Sequence, residues 1–141
     1  MGVIFERLNK SVKVPARAHE NDVGYDAFCP HEEFEIEPGS VRVMGLGFKV
    51  AIPNDWWMAV QSKSGLAAKN GIMILNSPGV VDPNYRDEVC AIIFNAGETI
   101  KTFHKGDKVC QLVFYPRVTV QFEDGKVDET ERTGGLGSTG K

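Results

Sequence analysis

The chain has 141 residues, of which 42% are hydrophobic and 25% charged, and its formal net charge is −3. This length and composition predict one globular domain that buries enough surface to fold without disulfides or a structural metal. The sequence has no apolar stretch of about 18 residues, which a membrane-spanning helix needs, and its net negative charge argues against stable nucleic-acid binding, which depends on Lys and Arg neutralising phosphates.

The predicted elements, taken in chain order, are mostly β-strands. Apolar residues alternate with polar ones, or form short apolar runs, in residues 3–8, 34–52, 56–60, 71–75, 88–94 and 108–122. Gly, Pro, Asn and Asp lie between these runs, as in strands joined by tight turns. The one predicted helix is SGLAAKNG, residues 64–71, with Ser64 as its N-cap and Gly71 at its end. Many short strands with a single short helix predict an all-β fold: a sandwich, a jelly roll or a closed barrel.

The last part of the chain is polar and then rich in glycine, so we expect a compact domain over residues 1–127 and an appendage over residues 128–141. Gly135–Lys141 reads G-x-x-x-x-G-K, most of a phosphate-binding loop, but no strand leads directly into it and no helix follows. The segment is therefore either a mobile, solubilising tail or an anion-binding arm. An arm would offer backbone N–H groups, the hydroxyls of Ser138 and Thr139, and the charge of Arg132.

Three further stretches carry polar residues suited to phosphate chemistry. Asp26 in NDVGYDAF is a carboxylate beside an aromatic residue, and Mg²⁺ needs only one or two carboxylates plus substrate phosphates. Lys63 and Ser64 lie at the start of the predicted helix, where they form either an anion site or a plain helix cap. Gln111 is polar within an apolar strand, so it lies either at an edge or towards a site.

The stretch NSPGVVDPNYRDEV, residues 76–89, reads as a strand, a tight turn and a second strand. Asp82 lies between Val81 and Pro83, so we expect partial desolvation, which suits a general base. The alternative is a turn residue that bonds to its own backbone. Asn76 offers an amide able to recognise the edge of a nucleobase, and Tyr85 offers a flat amphipathic face.

Together these stretches resemble the five motifs of the homotrimeric dUTPase family, in order and near the family's spacings, over about residues 10–140. The segments that carry the resemblance are Gly24–Asp26, Lys63–Ala67, Gly79–Arg86, Gly106–Leu112, and Arg132 with Gly134–Gly140. The resemblance implies a jelly-roll-like β-barrel or sandwich with one short helix, assembled as a homotrimer with active sites shared among subunits. It also implies Mg²⁺-dependent hydrolysis of dUTP to dUMP and diphosphate, which lowers dUTP and supplies dUMP for thymidylate synthesis.

The resemblance also implies a role for each matched residue. Asp82 is the expected catalytic base that activates water for attack on the α-phosphate, and Asp26 is expected to hold Mg²⁺ through bound waters. The expected substrate-binding residues are Lys63, Ser64, Gly65, Asn76, Gly79, Val80, Val81, Tyr85, Cys90, Gln111, Arg132, Leu136, Gly137 and Ser138. Tyr85 is expected to lie under the deoxyribose, where it leaves no room for a 2′-hydroxyl.

The chain departs from the family pattern at four places. Lys63 stands where the family has Arg, which gives a point charge instead of a bidentate fork. Leu136 replaces an aromatic residue, Asp87 replaces a Gly, and the spacing between Arg132 and Gly134 is one residue shorter. Three other functions stay open: a dCTP deaminase of the same broader fold, a non-catalytic regulator that binds dUTP, and a β-barrel for single-stranded nucleic acid.

The three cysteines, Cys29, Cys90 and Cys110, are scattered along the chain. An odd, scattered set predicts reduced thiols in the cytoplasm, or in the cytoplasm or nucleus of a host cell if the gene is viral. No second Cys/His pair accompanies Cys29 and His31, so we expect no zinc site.

Overall fold

A computed structural model describes residues 1–137. It contains eleven β-strands and one α-helix in this part of the chain. In chain order the elements are β1 (Ile4–Arg7), β2 (Tyr25–Phe28), β3 (Glu33–Ile36), β4 (Val41–Gly45), β5 (Phe48–Ala51), β6 (Trp56–Gln61), α1 (Ser64–Asn70), β7 (Ile72–Ile74), β8 (Gly79–Val81), β9 (Cys90–Asn95), β10 (Lys101–His104) and β11 (Lys108–Pro116). The all-β prediction with one short helix is confirmed.

The strands form small antiparallel sheets with a strand order that does not follow the sequence. The largest sheet has the order β2-β11-β6-β8, and a second sheet has the order β4-β9-β7. Two further pairs, β1-β5 and β10-β3, complete the set. Strands far apart in sequence are thus neighbours in space, as in the predicted jelly-roll-like architecture.

The core lies between the sheets and consists of the inward-facing residues of each strand. Its largest members include Phe48, Phe103, Ile36 and Met58, each at most 1% exposed. Asn95 is the one uncharged polar side chain that is buried among the described residues. Its Nδ2 donates to Ile36 O at 2.8 Å and to Thr99 O at 2.9 Å, and its Oδ1 accepts from Gly97 N at 2.9 Å. The buried amide is therefore fully used, which removes the cost of desolvating it.

Two strands escaped prediction because their own sequences carry little β signal. β2 is only four residues long and contains Asp26, and β10 is the polar sequence KTFH. Both are strands because long-range partners bond to them: β11 pairs with β2, and β3 pairs with β10. Tertiary pairing decides strand formation in such short segments.

The predicted strand over residues 108–122 is wrong in its second half. β11 ends at Pro116, and residues 117–122 continue without a partner strand. Val118, Val120 and Phe122 are 78%, 64% and 94% exposed. Their alternation is that of a strand with one apolar face, but no strand within residues 1–137 pairs with it.

The predicted helix is confirmed, but its predicted N-cap is wrong. Lys63 occupies the N-cap position with extended backbone, and no side chain caps the helix, so Ser64 is the first helical residue. Gly71 ends the helix with φ of 67°, and its N–H donates to the carbonyls of Ala67 and Leu66. This left-handed conformation is one that glycine adopts without steric strain.

Residues 128–137 are exposed and contain no strand or helix. The division into a domain over residues 1–127 and an arm over residues 128–141 stays a prediction. Within residues 1–137, no helix has the length and apolar character needed to cross a bilayer.

Candidate active site

The outer face of the large sheet carries a row of polar residues. Gln111 of β11 pairs with Asp26 of β2 on one side and with Gln61 of β6 on the other. Residues directly opposite each other in antiparallel strands point to the same face. These three side chains therefore share a face, opposite the one on which Leu112 and Val60 pack into the core.

Asp26 is the only buried charged residue among the described residues, at 5% exposure. Its Oδ1 accepts a short hydrogen bond from Lys63 Nζ, and its Oδ2 lies 3.2 Å from Lys108 Nζ. One carboxylate with two ammonium groups leaves a net charge of +1. We call this set of three residues, Asp26, Lys63 and Lys108, the lysine cluster; its net positive charge suits an anion.

Gln111 and the start of α1 extend the lysine cluster. Gln111 Nε2 donates to Ser62 O at 2.9 Å, which joins β11 to the residue before Lys63. A Cβ at Gly24 would lie 2.0 Å from Gln111 Oε1, so only glycine allows the amide to come this close. Ser64 and Gly65 are exposed at the first turn of the helix, where backbone N–H groups have no intrahelical acceptor. Phosphate oxygens are suitable acceptors for such groups.

A second group of predicted residues surrounds the connection from β7 through β8 to β9. Asn76 packs on Gly79, since a Cβ at Gly79 would lie 3.3 Å from Asn76 Nδ2. Val81 is buried, whereas Val80 points outward and is 62% exposed. The segment from Asn76 to Val80 thus presents an amide, backbone groups and one apolar side chain on its outer surface.

Tyr85 and Cys90 lie together at the far side of the same connection, because both donate to the carbonyl of Glu88. The distances are 2.7 Å from Tyr85 Oη and 3.5 Å from Cys90 Sγ. Partial burial, followed by the charge of Glu88, raises the pKa of the Cys90 thiol. Cys90 is exposed at the surface, and it is a protonated thiol near neutral pH.

Asp82 is exposed, so the expectation of partial desolvation is wrong for the isolated chain. Pro83 and Val81 flank it in sequence but leave its carboxylate open to solvent. Its carbonyl accepts from Tyr85 N at 3.1 Å, so the residue also starts a turn. The side chain lines a shallow depression with neighbours that include Asn54 and Arg117.

One chain holds Asp82 and the lysine cluster far apart. Asp82 follows Val81, which pairs with Met58 near the beginning of β6, while Lys63 comes two residues after Gln61 at its end. At about 3.3 Å per residue, the two sites are separated by roughly 16 to 20 Å along the strand. Backbone position alone therefore places Asp82 and the lysine cluster near opposite ends of β6.

Arg132, Leu136 and Gly137, which were expected in the arm, are exposed. Arg132 N donates to Thr130 Oγ1 at 3.3 Å, and Leu136 is fully exposed. Gly137 is the last described residue, with φ of 76°. Ser138 lies outside the described residues.

The amino-acid sequence is similar to those of known proteins. A family model described as dUTPase matches residues 10–140. A deoxyuridine 5′-triphosphate nucleotidohydrolase of Clostridium tetani is 39% identical over 136 residues, which cover 95% of this chain and 93% of the relative. One from Caulobacter vibrioides is 40% identical over 141 residues, covering 94% and 88%.

The chain belongs to the dUTPase family.

Two solved structures from the dUTPase family resemble the fold. A dUTPase of Staphylococcus bacteriophage 80alpha superposes with a TM-score of 0.82 at 23% identity, covering 92% of this chain and 99% of its own. A dUTPase of phage phi11 of S. aureus superposes with a TM-score of 0.78 at 25% identity, covering 93% and 99%. These likenesses confirm the jelly-roll-like fold predicted from the family motifs.

The described residues do not form a ready-made metal cage. No group of three or more His, Cys, Asp or Glu side chains converges anywhere in residues 1–137. Asp26 is engaged by two lysines, but an ionised carboxylate has about four lone-pair sites. The remaining sites can accept hydrogen bonds from metal-bound waters, and Mg²⁺ typically keeps several waters. Asp26 therefore fits the water-mediated role expected from the family resemblance.

Sequence reasoning missed Lys108 and Ser62. Lys108 lies inside the quoted motif Gly106–Leu112, but nothing in its local sequence indicates that it reaches Asp26. Ser62 Oγ accepts from Ile74 N at 2.9 Å and lies 3.4 Å from Ser77 Oγ. Ser62 thus ties the segment before Lys63 to the one that carries Asn76, and only the folded chain reveals this contact.

Proposed function

We propose that this chain hydrolyses dUTP to dUMP and diphosphate. The observation that carries the proposal is the dUTPase family match over residues 10–140. The names of the relatives from Clostridium tetani and Caulobacter vibrioides state the same activity. The lysine cluster adds a physical reason, because a net positive site beside free helix N–H groups suits a triphosphate.

Hydrolysis requires that the triphosphate be held and its negative charge neutralised while water attacks. Lys63, with Ser64 and Gly65, binds phosphates in this proposal, and Gln111 orients the α-phosphate or the water. Asp82 is the general base that takes the proton from the attacking water. Its exposure in the isolated chain leaves the carboxylate accessible to water, as a base must be.

Mg²⁺ is the proposed cofactor, held by substrate phosphates and through water by Asp26. A phage phi11 dUTPase that is 23% identical to this chain coordinates a structural Mg(II) ion. When bound, the ion would neutralise negative charge on the phosphates. The protein's own contribution is to hold Lys63 and the carboxylate of Asp26 in fixed positions beside it.

The segment from Asn76 to Cys90 is the proposed nucleoside site. Asn76 and the backbone of Gly79, Val80 and Val81 can bond to the edge of uracil, together with the backbone near Cys90. Tyr85 is fixed by its hydrogen bond to Glu88 O, so it offers a rigid surface for the deoxyribose. Close packing here would exclude the thymine methyl group and a 2′-hydroxyl by steric clash.

A homotrimer with shared sites is the proposed assembly. The separation of roughly 16 to 20 Å between the backbone positions of Asp82 and Lys63 within one chain supports a site that another copy completes. The exposed apolar residues Val118, Val120 and Phe122 support docking on a neighbouring copy, since exposed extended segments with apolar side chains readily bind other chains. Arg132, Leu136, Gly137 and Ser138 would then close over a neighbour's triphosphate.

The test is a substrate panel with a mass measurement of the assembly. Diphosphate release should be much faster from dUTP than from dTTP, dCTP or UTP, should require Mg²⁺, and should accompany a trimer mass. Equal release from all four nucleotides would reject the proposal, and deoxyuridine products from dCTP would indicate a deaminase. A cytoplasmic site of action is consistent with the cysteines, which are all free thiols in the described residues.

The role of Asp82 has its own variant and control. Asp82→Asn keeps the shape and removes the base, so kcat should fall at least about 100-fold while dUTP still binds. Asp55→Asn removes an exposed carboxylate outside the nucleoside segment and should leave kcat within about two-fold, as surface substitutions usually do. Near-normal turnover by Asp82→Asn would exclude this residue as the base.

A further inference from the structure

A break in the regular pairing of β11 with β2 carries an inference about Lys108, to which the family resemblance assigns no role. Lys108 pairs with Phe28, Cys110 pairs with Ala27 and Gln111 pairs with Asp26, with a register shift between Lys108 and Cys110. Three residues of β11 therefore oppose two residues of β2, which is a β-bulge. Bulges redirect side chains and occur frequently beside active sites.

The bulge changes the face of the sheet to which Lys108 points. In an unbroken strand, residues 108 and 111 would lie on opposite faces, because side chains alternate. Phe28 and Asp26 are two residues apart in β2 and share a face, so their partners Lys108 and Gln111 share that face as well. Burial agrees, since Val109 and Cys110 are adjacent in sequence yet only 1% and 0% exposed. Without the bulge, Lys108 would point into the core side of the sheet.

The redirected side chain adds a second cation to one buried carboxylate. Asp26 already has Lys63 as a partner, and a single ammonium is enough to balance its charge. Lys108 brings its Nζ to 3.2 Å from the other carboxylate oxygen, while half of its side chain stays exposed. The carboxylate thus holds two ammonium groups side by side, with a surplus of one positive charge at the solvent boundary.

We propose that Lys108 is a second phosphate-binding cation of the active site, held in position by Asp26 and aimed there by the bulge. The inference rests on the proposed function and extends it to the phosphate tail of the substrate. Two point charges on neighbouring lysines can contact two phosphate oxygens. They thereby supply the pair of contacts that one arginine makes with its planar fork.

The test measures binding without turnover. The triphosphate analogue dUpNHpp, which has been bound to a phage dUTPase, is titrated into the full chain by calorimetry in EDTA without Mg²⁺. Lys108→Met should weaken its Kd by about ten-fold to a hundred-fold, the usual effect of losing a charge-assisted hydrogen bond. Lys108→Arg should restore most of the affinity, and the Kd of deoxyuridine, which has no phosphate, should not change.

Lys105 provides the matched control because it precedes the same strand and pairs with Glu32 at 3.4 Å on the surface. Lys105→Met should bind dUpNHpp as the wild type does. Three results would each overturn the inference. They are unchanged dUpNHpp binding by Lys108→Met, an equal loss of dUpNHpp affinity in Lys105→Met, and a parallel loss of deoxyuridine affinity in Lys108→Met. Lys108→Gln serves as a second neutral variant if Lys108→Met does not fold.

Failure of the proposed function would be seen in the wild type, whereas failure of this inference would be seen only in the Lys108 variants. If the wild type neither binds dUpNHpp nor hydrolyses dUTP, the dUTPase assignment falls, and this inference falls with it. If the wild type does both and Lys108→Met binds dUpNHpp normally, only the role of Lys108 is rejected.

Discussion

Replacing Asp26 with Asn should destabilise the fold because it removes the one charge that holds two lysines together. The side chain keeps its size and can still form hydrogen bonds, so the change is essentially one of charge. Asp26 is 5% exposed, but the side chains of Lys63 and Lys108 are 26% and 50% exposed. After the substitution, two ammonium groups face a neutral amide at the edge of the core.

The expected size of the effect follows from these exposures. Removing one partner of a fully buried ion pair costs about 3–5 kcal/mol, whereas an exposed pair contributes about 0–1 kcal/mol. The lysine cluster lies between these limits, so Asp26→Asn should lower the free energy of unfolding by about 2 kcal/mol. For a domain of this size that corresponds to a decrease of roughly 6–8 °C in Tm.

Urea unfolding followed by tryptophan fluorescence measures this change, with the protein concentration held fixed because subunit association contributes to stability. Asp55→Asn is the control, since Asp55 is exposed and its loss should change the free energy of unfolding by under about 0.5 kcal/mol.

A second substitution on the Asp26→Asn background tests the reason for the effect. Lys63→Met should recover part of the lost stability, because Lys63 is the less exposed ammonium and has no carboxylate left. Lys108→Met should recover less, since half of its side chain already lies in solvent and can move away. The reasoning is refuted if Asp26→Asn is as stable as the wild type, or if Lys63→Met lowers the stability of that background further.

Three other predictions concern stability. Asn95→Ala should lower the free energy of unfolding by about 2–4 kcal/mol in urea titrations, because it leaves buried backbone groups unbonded; a loss under about 1 kcal/mol would contradict this. Gly71→Ala should lower the free energy of unfolding by about 2 kcal/mol or more, because φ is 67° and the new Cβ would lie 2.8 Å from Gly97 N. At Gly125 a new Cβ meets open space, so Gly125→Ala should leave the free energy of unfolding unchanged in the same assay. Burial raises the pKa of Cys110 to about 12, so the folded chain keeps a proton that the unfolded chain loses above about pH 8.5. The stability contribution of Cys110 is therefore complete below that pH and declines as the pH rises towards 12, and Cys110→Ala should show a smaller alkaline decline in the free energy of unfolding.

The candidate site was predicted best where it depends on local sequence. Ser64 and Gly65 do lie at the predicted helix start, because helix-start residues act on their immediate neighbours. Asp82 was predicted to be partly desolvated from its two flanking residues, and it is exposed. Flanking residues are a poor guide to burial, since burial depends on whatever packs above the side chain from distant parts of the chain.

The sequence by itself determined the alternating strands, the turns, the single helix and the order of motifs that assigns the family. All of these are local patterns, because side-chain alternation and turn conformation depend on residues a few positions apart. Only the tertiary structure decided that β2 is a strand, that Lys108 shares a face with Gln111, and that Asp26 holds two lysines. The physical reason is that strand register is fixed between segments distant in sequence, and one extra residue in a strand reverses the face to which its neighbours point.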